Sequence, residues 1–279
     1  MKLIRFGLKK NEKPGIIDTK GIIRDCSAHF KDWNHNFFQY DGLDSLKKIN
    51  VDKLPIIDKG IRLGSPIHRP GKIVCIGLNY QDHVKETNMI CPKEPTIFLK
   101  ATNTIIGPND NIQIPKKSIK TDWEIELGII IKKDCKYLNS EIESKDYIAG
   151  YTISNDVSER DFQKNRGGQW TKGKSCDTFN PTGPYLLTTD EISDVNNLNM
   201  NLTVNGTTRQ HSNTKNMIFN PYYIVHYLSQ FMTLEAGDLI STGTPSGVGM
   251  GMTPPQFLKA GDTVELTIDK LGTQIQRCV

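Results

Sequence analysis

The fold of this 279-residue chain is decided by one apolar stretch, Thr121-Asp122-Trp123-Glu124-Ile125-Glu126-Leu127-Gly128-Ile129-Ile130-Ile131. It is rich in β-branched residues and contains no proline, which is typical of a β-strand. Because side chains alternate across a strand, Glu124 and Glu126 point to the same face and lie about 6.5–7 Å apart at the backbone. The apolar residues between them point to the other face, where we expect a hydrophobic core.

The two glutamates need compensation if their face is kept from water. Like charges held close together do not both stay ionised in an apolar setting unless a cation balances them. A divalent metal would do so, and carboxylate oxygens favour Mg²⁺, Mn²⁺ or Ca²⁺ over Zn²⁺. The alternative is an edge strand with a solvated acidic face, and this stretch alone leaves both interpretations open.

The composition argues against several functional classes. With 37% apolar and 24% charged residues and a formal charge of +4, the chain is typical of a globular protein of one or two domains. It shows no dense basic run for nucleic acid, no signal-peptide core at its N-terminus and no apolar stretch of about 20 residues. The six cysteines are scattered, without the spacing of a metal site. We therefore expect a cytoplasmic protein with reduced thiols that binds neither nucleic acid nor membranes.

The order of the predicted elements indicates two domains. Residues 1–70 contain short strands and a short helix, and we predict a small N-terminal α+β domain that ends at a proline-rich connector, residues 66–71. Residues 71–279 are predicted to form the larger, catalytic domain. Many strands, few helices and frequent glycine or proline turns favour a mostly-β α+β fold over alternating βαβ units.

Three local patterns add detail to the larger domain. Asn205-Gly206 predicts a β-hairpin, and Asn220-Pro221 predicts the start of a helix that ends near Met232. Residues 166–175 are too rich in glycine for a helix interior, so we expect a loop there.

A histidine and a glutamate follow the predicted buried strand at residues 72–77. If this segment is a short helix, His83 and Glu86 are neighbours on one face. A carboxylate beside an imidazole orients the ring and stabilises its charged form, which is how a general base is built. The alternative is an incidental ion pair on a surface helix, which is commoner.

A third carboxylate, Asp156, lies at the end of a later predicted strand. On its own it is typical of a helix cap or a turn. Beside the two glutamates it would complete a three-carboxylate site with positions left for water and substrate. In the helix that follows, Arg160 and Gln163 fall on one face. A glycine-rich turn containing Thr242 and Thr244 can present hydroxyl and N–H groups to a carboxylate.

Taken together and in this order, these residues resemble the fumarylacetoacetate hydrolase family, including the acylpyruvases, from about residue 72 to residue 278. The matching motifs are Gly77-x-Asn79-Tyr80-x-x-His83-x-x-Glu86, Glu124-x-Glu126-Leu127, Asp156-x-x-x-Arg160-Asp161-x-Gln163, Lys174-Ser175 and Thr242-Gly243-Thr244-Pro245-x-Gly247-Val248-Gly249. The short N-terminal part and residues 249–259 are similar to a subgroup labelled ureidoglycolate lyase, some members of which hydrolyse 2,4-diketo-3-deoxy-L-rhamnonate or L-fuconate.

The resemblance implies a fold, an assembly and a cofactor. It implies a mixed β-sandwich roll and a homodimer. It also implies Mg²⁺ or Mn²⁺, with Ca²⁺ less favoured, on Glu124, Glu126 and Asp156. Fumarylacetoacetate hydrolase has a further acidic ligand before the histidine segment, whereas Cys75 and Ile76 stand there in this chain. We therefore expect three carboxylate ligands, as in the acylpyruvase-like branch.

The resemblance also implies a reaction. The substrate would be a 2,4-diketo acid, with a deoxy sugar acid as the narrower expectation, and the products would be pyruvate and a second acid. Among the catalytic residues, His83 oriented by Glu86 would activate water, and Lys174 with the metal would stabilise the enolate. Arg160 and Gln163 would hold substrate oxygens, and Thr244 would hold the carboxylate.

Other functions fit the same residues. Oxaloacetate decarboxylation, ureidoglycolate cleavage and keto–enol isomerisation all use a metal beside an α-oxo acid or an enolate-like charge. A non-catalytic metal-binding protein is the remaining alternative, although it would leave His83, Glu86 and Lys174 without a purpose.

Overall fold

The computed structural model describes residues 1–86 and 90–279, with Lys85 described by its backbone alone. The strands of these residues, in chain order, are β1 (Lys2–Phe6), β2 (Lys13–Ile17), β3 (Ile23–Asp25), β4 (Ile56–Ile57), β5 (Ile73–Gly77), β6 (Thr96–Lys100), β7 (Ile105–Ile106), β8 (Thr121–Asp122), β9 (Ile125–Ile131), β10 (Ile148–Asn155), β11 (Ser158–Glu159), β12 (Asn180–Pro181), β13 (Leu186–Thr188), β14 (Asn199–Val204), β15 (Thr207–Asn213), β16 (Leu239–Ser241), β17 (Thr263–Ile268) and β18 (Gly272–Arg277). The helices are α1 (His35–Gln39), α2 (Gly42–Lys47), α3 (Gln81–Glu86), α4 (Glu141–Ser144), α5 (Arg160–Lys164), α6 (Thr171–Lys174) and α7 (Pro221–Ser229). Strands dominate, so the prediction of a mostly-β α+β fold is confirmed.

Two sheets pack against each other. Ten strands form one mixed sheet in the order β4-β3-β2-β1-β13-β10-β9-β16-β5-β6, and four form a second in the order β15-β14-β17-β18. Leu127 and Ile153 of the large sheet and Leu202 and Leu266 of the small one belong to the same buried cluster. The fully buried β9 lies within the large sheet, between β10 and β16.

The strand predicted over residues 121–131 is interrupted, which corrects the sequence-based interpretation. Thr121–Asp122 pairs with β11 in a separate small sheet, and β9 begins only at Ile125. The break has a tertiary cause. The indole Nε1 of Trp123 donates to the carbonyl of Gly247 at 3.0 Å, and the Trp123 N–H donates to the side chain of Asp122 at 2.9 Å.

The N-terminal strands extend the large sheet. Strand β1 pairs with β13, where Lys2 lies opposite Leu187, and β2, β3 and β4 follow outward. Helices α1 and α2 pack their buried Phe38 and Leu46 on a second apolar cluster, which also contains Ile130 of β9. The two predicted domains, residues 1–70 and 71–279, thus share one sheet. The division between them stays a prediction.

Two local patterns were predicted well. The hairpin of β14 and β15 turns at Asn205-Gly206, both with positive φ, as a two-residue hairpin turn needs. Helix α7 begins at Pro221, and the side chain of Asn220 caps it by accepting from two backbone N–H groups. No helix of the described residues is long and apolar enough to span a membrane.

Candidate metal centre and active site

The three predicted carboxylates meet at one place. Glu126 is the second residue of β9 and Glu124 directly precedes this strand, whereas Asp156 directly follows β10, the antiparallel neighbour that pairs Ser154 with Glu126. The Asp156 N–H donates to the carbonyl of Glu124 at 3.0 Å, which holds these two segments of the chain together. One oxygen from each carboxylate lies within 4.8 Å of the others, and all three side chains are buried.

Two lysine ammonium groups lie among these carboxylates. Lys174 Nζ is 2.6 Å from Glu124 Oε2 and 2.6 Å from Asp156 Oδ2. Lys100 Nζ is 2.5 Å from Asp156 Oδ1 and donates to the carbonyl of Val157 at 3.0 Å. Arg160 contacts both Glu124 and the buried Asp122, so four acids face three cations here and one formal negative charge is left without a cation.

That charge is concentrated on Glu126. The side chain accepts a hydrogen bond from the Gly243 N–H at 2.9 Å, and within the described part of the chain it has no ion pair with a lysine or an arginine. Burial raises the pKa of this carboxyl well above its ordinary value, and the nearby charges of Asp156 and Glu124 raise it further. A buried carboxylate with two like charges beside it and only a backbone N–H as partner fits a site built for a cation.

Glu124 is in the opposite situation. Burial alone would raise its pKa, but the charges of Arg160 and Lys174 hold it well below its ordinary value. The Lys174 pKa is raised in return, because Asp156 and Glu124 outweigh the effect of burial. Both groups are therefore charged around neutral pH.

The short helix α6 carries Lys174 to this place. The sequence predicted a loop over residues 166–175, whereas Thr171–Lys174 forms one helical turn. A Cβ at Gly173 would lie 2.4 Å from the backbone nitrogen of Gln163, so only glycine lets α6 approach α5 this closely. The glycine that argued against a helix is thus a packing requirement of that helix.

Arg160 and Gln163 on α5 line the same cavity but face protein partners as well. The Arg160 guanidinium contacts Asp122 Oδ2 at 2.8 Å, Glu124 Oε1 at 2.5 Å and Gln163 Oε1 at 3.1 Å. Arg160 therefore orients a candidate metal ligand. Whether it and Gln163 also hold substrate oxygens stays a prediction.

Asp122 was not singled out from the sequence. It is fully buried, binds Arg160 and accepts from the N–H groups of Gly249 at 2.7 Å and Met250 at 3.1 Å. The alternation that paired Glu124 with Glu126 also includes residue 122, and this pattern could have identified it. Lys100 gave no such signal, because a lysine at a strand end is usually at the surface.

His83 and Glu86 lie on one face of α3, as the sequence predicted. His83 Nδ1 is 3.2 Å from Glu86 Oε2, and the buried imidazole lines the cavity with the three acids. The other Glu86 oxygen accepts from the Gly247 N–H at 2.9 Å. Asp82 of the same helix accepts from the Ser246 hydroxyl at 3.0 Å. The glycine-rich turn thus holds α3 through two carboxylates.

Thr244 also lines the cavity, but its hydroxyl has protein partners. It donates to the carbonyl of Ile125 at 2.9 Å and accepts from Gln210 Nε2 at 2.8 Å. Gln210, from the second sheet, also accepts from the Ile125 N–H at 3.0 Å. Gln210 was not identified from the sequence, since its contacts are all long-range. A role of Thr244 in holding a carboxylate stays a prediction.

These residues surround one cavity of about 160 Å³. The charged groups form its floor, where Glu124, Glu126, Asp156 and Lys174 are each at most 4% exposed. The ring of Phe98 lies 5.0 Å from Lys174 Nζ and begins an aromatic wall. A buried charged floor under an aromatic wall suits a small acid with an unsaturated or apolar part.

Known proteins are similar to this chain over most of its length. The model of the fumarylacetoacetate (FAA) hydrolase C-terminal domain matches residues 72–279. A Burkholderia ambifaria protein provisionally named a hydrolase is 52% identical over 277 residues, covering 99% of this chain and 98% of that protein.

Solved structures are similar over the whole chain. The 2-hydroxyhepta-2,4-diene-1,7-dioate isomerase of Mycobacterium marinum has a TM-score of 0.77 and 34% identity, covering 100% of this chain and 98% of that one. The maleylpyruvate hydrolase of Sphingobium sp. SYK-6, in complex with manganese(II) and pyruvate, has a TM-score of 0.83 and 27% identity, covering 100% and 99%.

Proposed function

Since the chain belongs to the fumarylacetoacetate hydrolase family, we propose that it hydrolyses a carbon–carbon bond of a 2,4-diketo acid to pyruvate and a second acid. The observation that supports this reaction is the presence of the three carboxylates, Lys174 and His83 around one cavity. The hydrolase and isomerase names of similar proteins support the broader class.

Glu124, Glu126 and Asp156 would hold the divalent ion, and their all-oxygen donor set suits Mg²⁺ or Mn²⁺. Such an ion supplies Lewis-acid stabilisation of an α-oxo acid and of its enolate. Its two positive charges would also change the net charge of the floor from −1 to +1. A substrate carboxylate would then make the floor neutral, which explains why two buried lysines accompany three acids.

His83 and Glu86 would supply the base. With Nδ1–H donating to Glu86, the lone pair of the neutral ring lies on Nε2. Nε2 would take a proton from water as the water oxygen bonds to C4 of the substrate. Glu86 stabilises the imidazolium that forms, and its bond to the Gly247 N–H keeps it in place.

Lys174 would act in the next step. The C3–C4 bond breaks, C4 leaves as a carboxylic acid, and the electron pair passes to the enolate of pyruvate. The ammonium of Lys174 lies on the floor beside Phe98 and would stabilise that negative charge. Proton return to C3 from the imidazolium completes pyruvate and restores the neutral base.

The test is hydrolysis of 2,4-dioxoheptanoate with Mg²⁺ or Mn²⁺ in ¹⁸O-labelled water. We expect one pyruvate per substrate and one ¹⁸O in the butyrate released, because the water oxygen bonds to C4. The Glu126→Gln variant serves as the background. Pyruvate at no more than the background level, with folded and metal-loaded protein, would contradict the proposal.

A second candidate is isomerisation, because a similar structure is named an isomerase. It would show as interconversion of the keto and enol forms faster than in protein-free buffer, without pyruvate release. Oxaloacetate decarboxylation would release CO₂, and since it needs no hydrolytic water it would survive His83→Ala. Ureidoglycolate cleavage would release urea and glyoxylate. Each product is separable by mass, so the alternatives exclude one another in one set of assays.

A further inference from the structure

Asp122 is a buried carboxylate that contacts both halves of the candidate site without lining the cavity. It is 0% exposed and lies on β8, in register with Ser158 of β11 and close to Arg160, which begins α5. A buried carboxylate is stable only when it is hydrogen-bonded and paired with a cation. Asp122 finds these partners in two different parts of the chain, and each part positions a different functional group.

The first set of contacts reaches the floor. Asp122 Oδ2 is 2.8 Å from Arg160 Nε, and Nη2 of the same guanidinium is 2.5 Å from Glu124 Oε1. A guanidinium is planar and rigid, so a carboxylate bound to one of its nitrogens fixes the direction of the others. The second oxygen of Glu124 is 2.6 Å from Lys174 Nζ. Asp122 therefore sets, through Arg160, how this candidate metal ligand is turned.

The second set of contacts reaches the glycine-rich turn that holds α3. Asp122 Oδ1 accepts from the Gly249 N–H at 2.7 Å, and Oδ2 accepts from the Met250 N–H at 3.1 Å. A Cβ at Gly249 would lie 2.8 Å from Asp122 Oδ1, so glycine permits this close approach. Two residues earlier in the turn, the Gly247 N–H donates to Glu86 Oε1 at 2.9 Å. Asp122 therefore anchors the segment that holds the carboxylate partner of the candidate base.

We propose that Asp122 is a positioning residue for both halves of the site. Through Arg160 it orients the carboxylate of Glu124, and through the glycine-rich turn it keeps Glu86 against His83. The inference rests on the proposed function and adds to it a group that contacts neither substrate nor ion. Ion binding and base catalysis, which otherwise depend on different contacts, both depend on this one side chain.

The variant Asp122→Asn tests both roles with little change in shape. Its amide oxygen still accepts a hydrogen bond, but its amide nitrogen is a donor and faces the donors of Arg160 and Met250. We expect the affinity for Mn²⁺ to fall by about ten-fold. We also expect kcat on 2,4-dioxoheptanoate to fall by about thirty-fold with Mn²⁺ at saturation, because added ion restores occupancy but not the position of the base. Unchanged affinity or full kcat under these conditions would overturn the dual role.

Asp238 provides a matched control. It is also 0% exposed, accepts from the backbone N–H groups of Lys72 and Glu235 at 2.8 Å each, and pairs with Lys72 Nζ at 3.0 Å. Asp238→Asn disturbs the same kinds of contact at the opposite end of β16 from the glycine-rich turn, so it should lower the unfolding temperature without changing Mn²⁺ affinity or kcat. Equal losses in the two variants would reflect general destabilisation and would overturn the inference. Asp122→Ser, which is smaller and neutral, repeats the test if the asparagine variant does not fold.

The proton on the neutral His83 ring tests the second role without turnover, and so separates failure of the inference from failure of the proposed reaction. Two-bond ¹H–¹⁵N spectra of histidine-labelled protein, assigned with His83→Ala, should show this proton on Nδ1, where Glu86 accepts it. In Asp122→Asn the proton should be shared between Nδ1 and Nε2, whereas Asp238→Asn should match the parent protein. This result would support the positioning role even if no pyruvate is ever released. A spectrum of Asp122→Asn identical to that of the parent would overturn the role whatever the reaction is.

Discussion

The floor of the cavity and helix α3 hold their functional side chains in different ways. Glu124, Glu126 and Asp156 are attached to neighbouring strands in the middle of the ten-stranded sheet and are buried. His83 and Glu86 lie on a six-residue helix that the glycine-rich turn holds through side-chain hydrogen bonds. Under the proposed function, this difference means that ion binding would depend on the sheet, whereas base catalysis would depend on a few separable contacts. Loss of a carboxylate on the sheet should remove both ion binding and catalysis. Loss of the contacts that hold α3 should remove only catalysis.

The largest effect is expected for Glu126→Gln. The amide keeps the shape but removes the charge that lacks a cation partner, so we expect metal affinity to fall and activity to drop by about a thousand-fold. The folded protein should unfold at the same or a higher temperature without metal, because the neutral amide is not repelled by Asp156 and Glu124. Calorimetric metal titration and pyruvate release measure this, with the exposed Glu265→Gln as control. Unchanged metal binding would show that the floor is not the ion site.

The second effect separates the two regions. His83→Ala should reduce hydrolysis by about a hundred-fold or more, which is the usual contribution of a general base. Metal affinity should stay within about two-fold, because the sheet that holds the acids is untouched. The exposed His211→Ala is the control. A parallel loss of metal affinity would mean that α3 and the floor form one unit, which contradicts the comparison.

A third, smaller effect concerns the contact that holds α3. A Cβ at Gly251 would lie 2.3 Å from Glu86 Cδ, so Gly251→Ala must displace the carboxylate that orients His83. We expect kcat to fall by about ten-fold with KM and metal affinity unchanged, since a misplaced base slows only the chemical step. In Gly60→Ala the new Cβ lies 3.2 Å from the flexible Asp58 side chain, and this variant should behave like the parent protein. Full activity of Gly251→Ala would show that Glu86 need not be fixed.

The smallest effect lies outside both regions and tests stability alone. Asp110 pairs with Arg62 through two bonds of 2.8 and 2.6 Å, and these bonds, with a bond from the Gly107 N–H, lower its pKa although burial raises it. A carboxyl with a depressed folded-state pKa stabilises the fold above its unfolded pKa of about 3.9 and loses that contribution as pH falls through the folded value. Asp110→Asn should therefore cost about 1 kcal/mol at pH 7 and progressively less below pH 4, without changing kcat. Denaturant unfolding at several pH values measures this, and a cost that does not depend on pH would contradict the ion-pair account.

Local sequence patterns predicted the parts of the fold that depend on neighbours in the chain. Asn205-Gly206 specified its hairpin and Asn220-Pro221 specified the start of α7, because both signals act over a few residues. The pairing of Glu124 with Glu126 followed from strand alternation, which holds although the predicted strand is broken at Trp123. The break depends on Gly247, more than a hundred residues away, so no local pattern contains it.

The residues of the candidate site, like the fold, were predictable only where a short sequence pattern contains them. The carboxylates and the His83–Glu86 pair have characteristic spacings, and the family resemblance brought them together. Lys100, Asp122 and Gln210 are ordinary polar residues in the sequence, and only their long-range partners show their part in the site. The fold and the grouping of the three carboxylates were therefore accessible from the sequence, whereas the contacts that hold these side chains were not.

The most direct test is the position of an ion. Crystals grown with Mn²⁺ and pyruvate, measured at the manganese absorption edge, should show one anomalous peak within about 2.5 Å of oxygens from all three side chains, Glu124, Glu126 and Asp156. Lys174 and Lys100 should remain beside the site as counter-charges. The absence of a peak at these residues, with Glu126 in contact only with protein, would contradict the account.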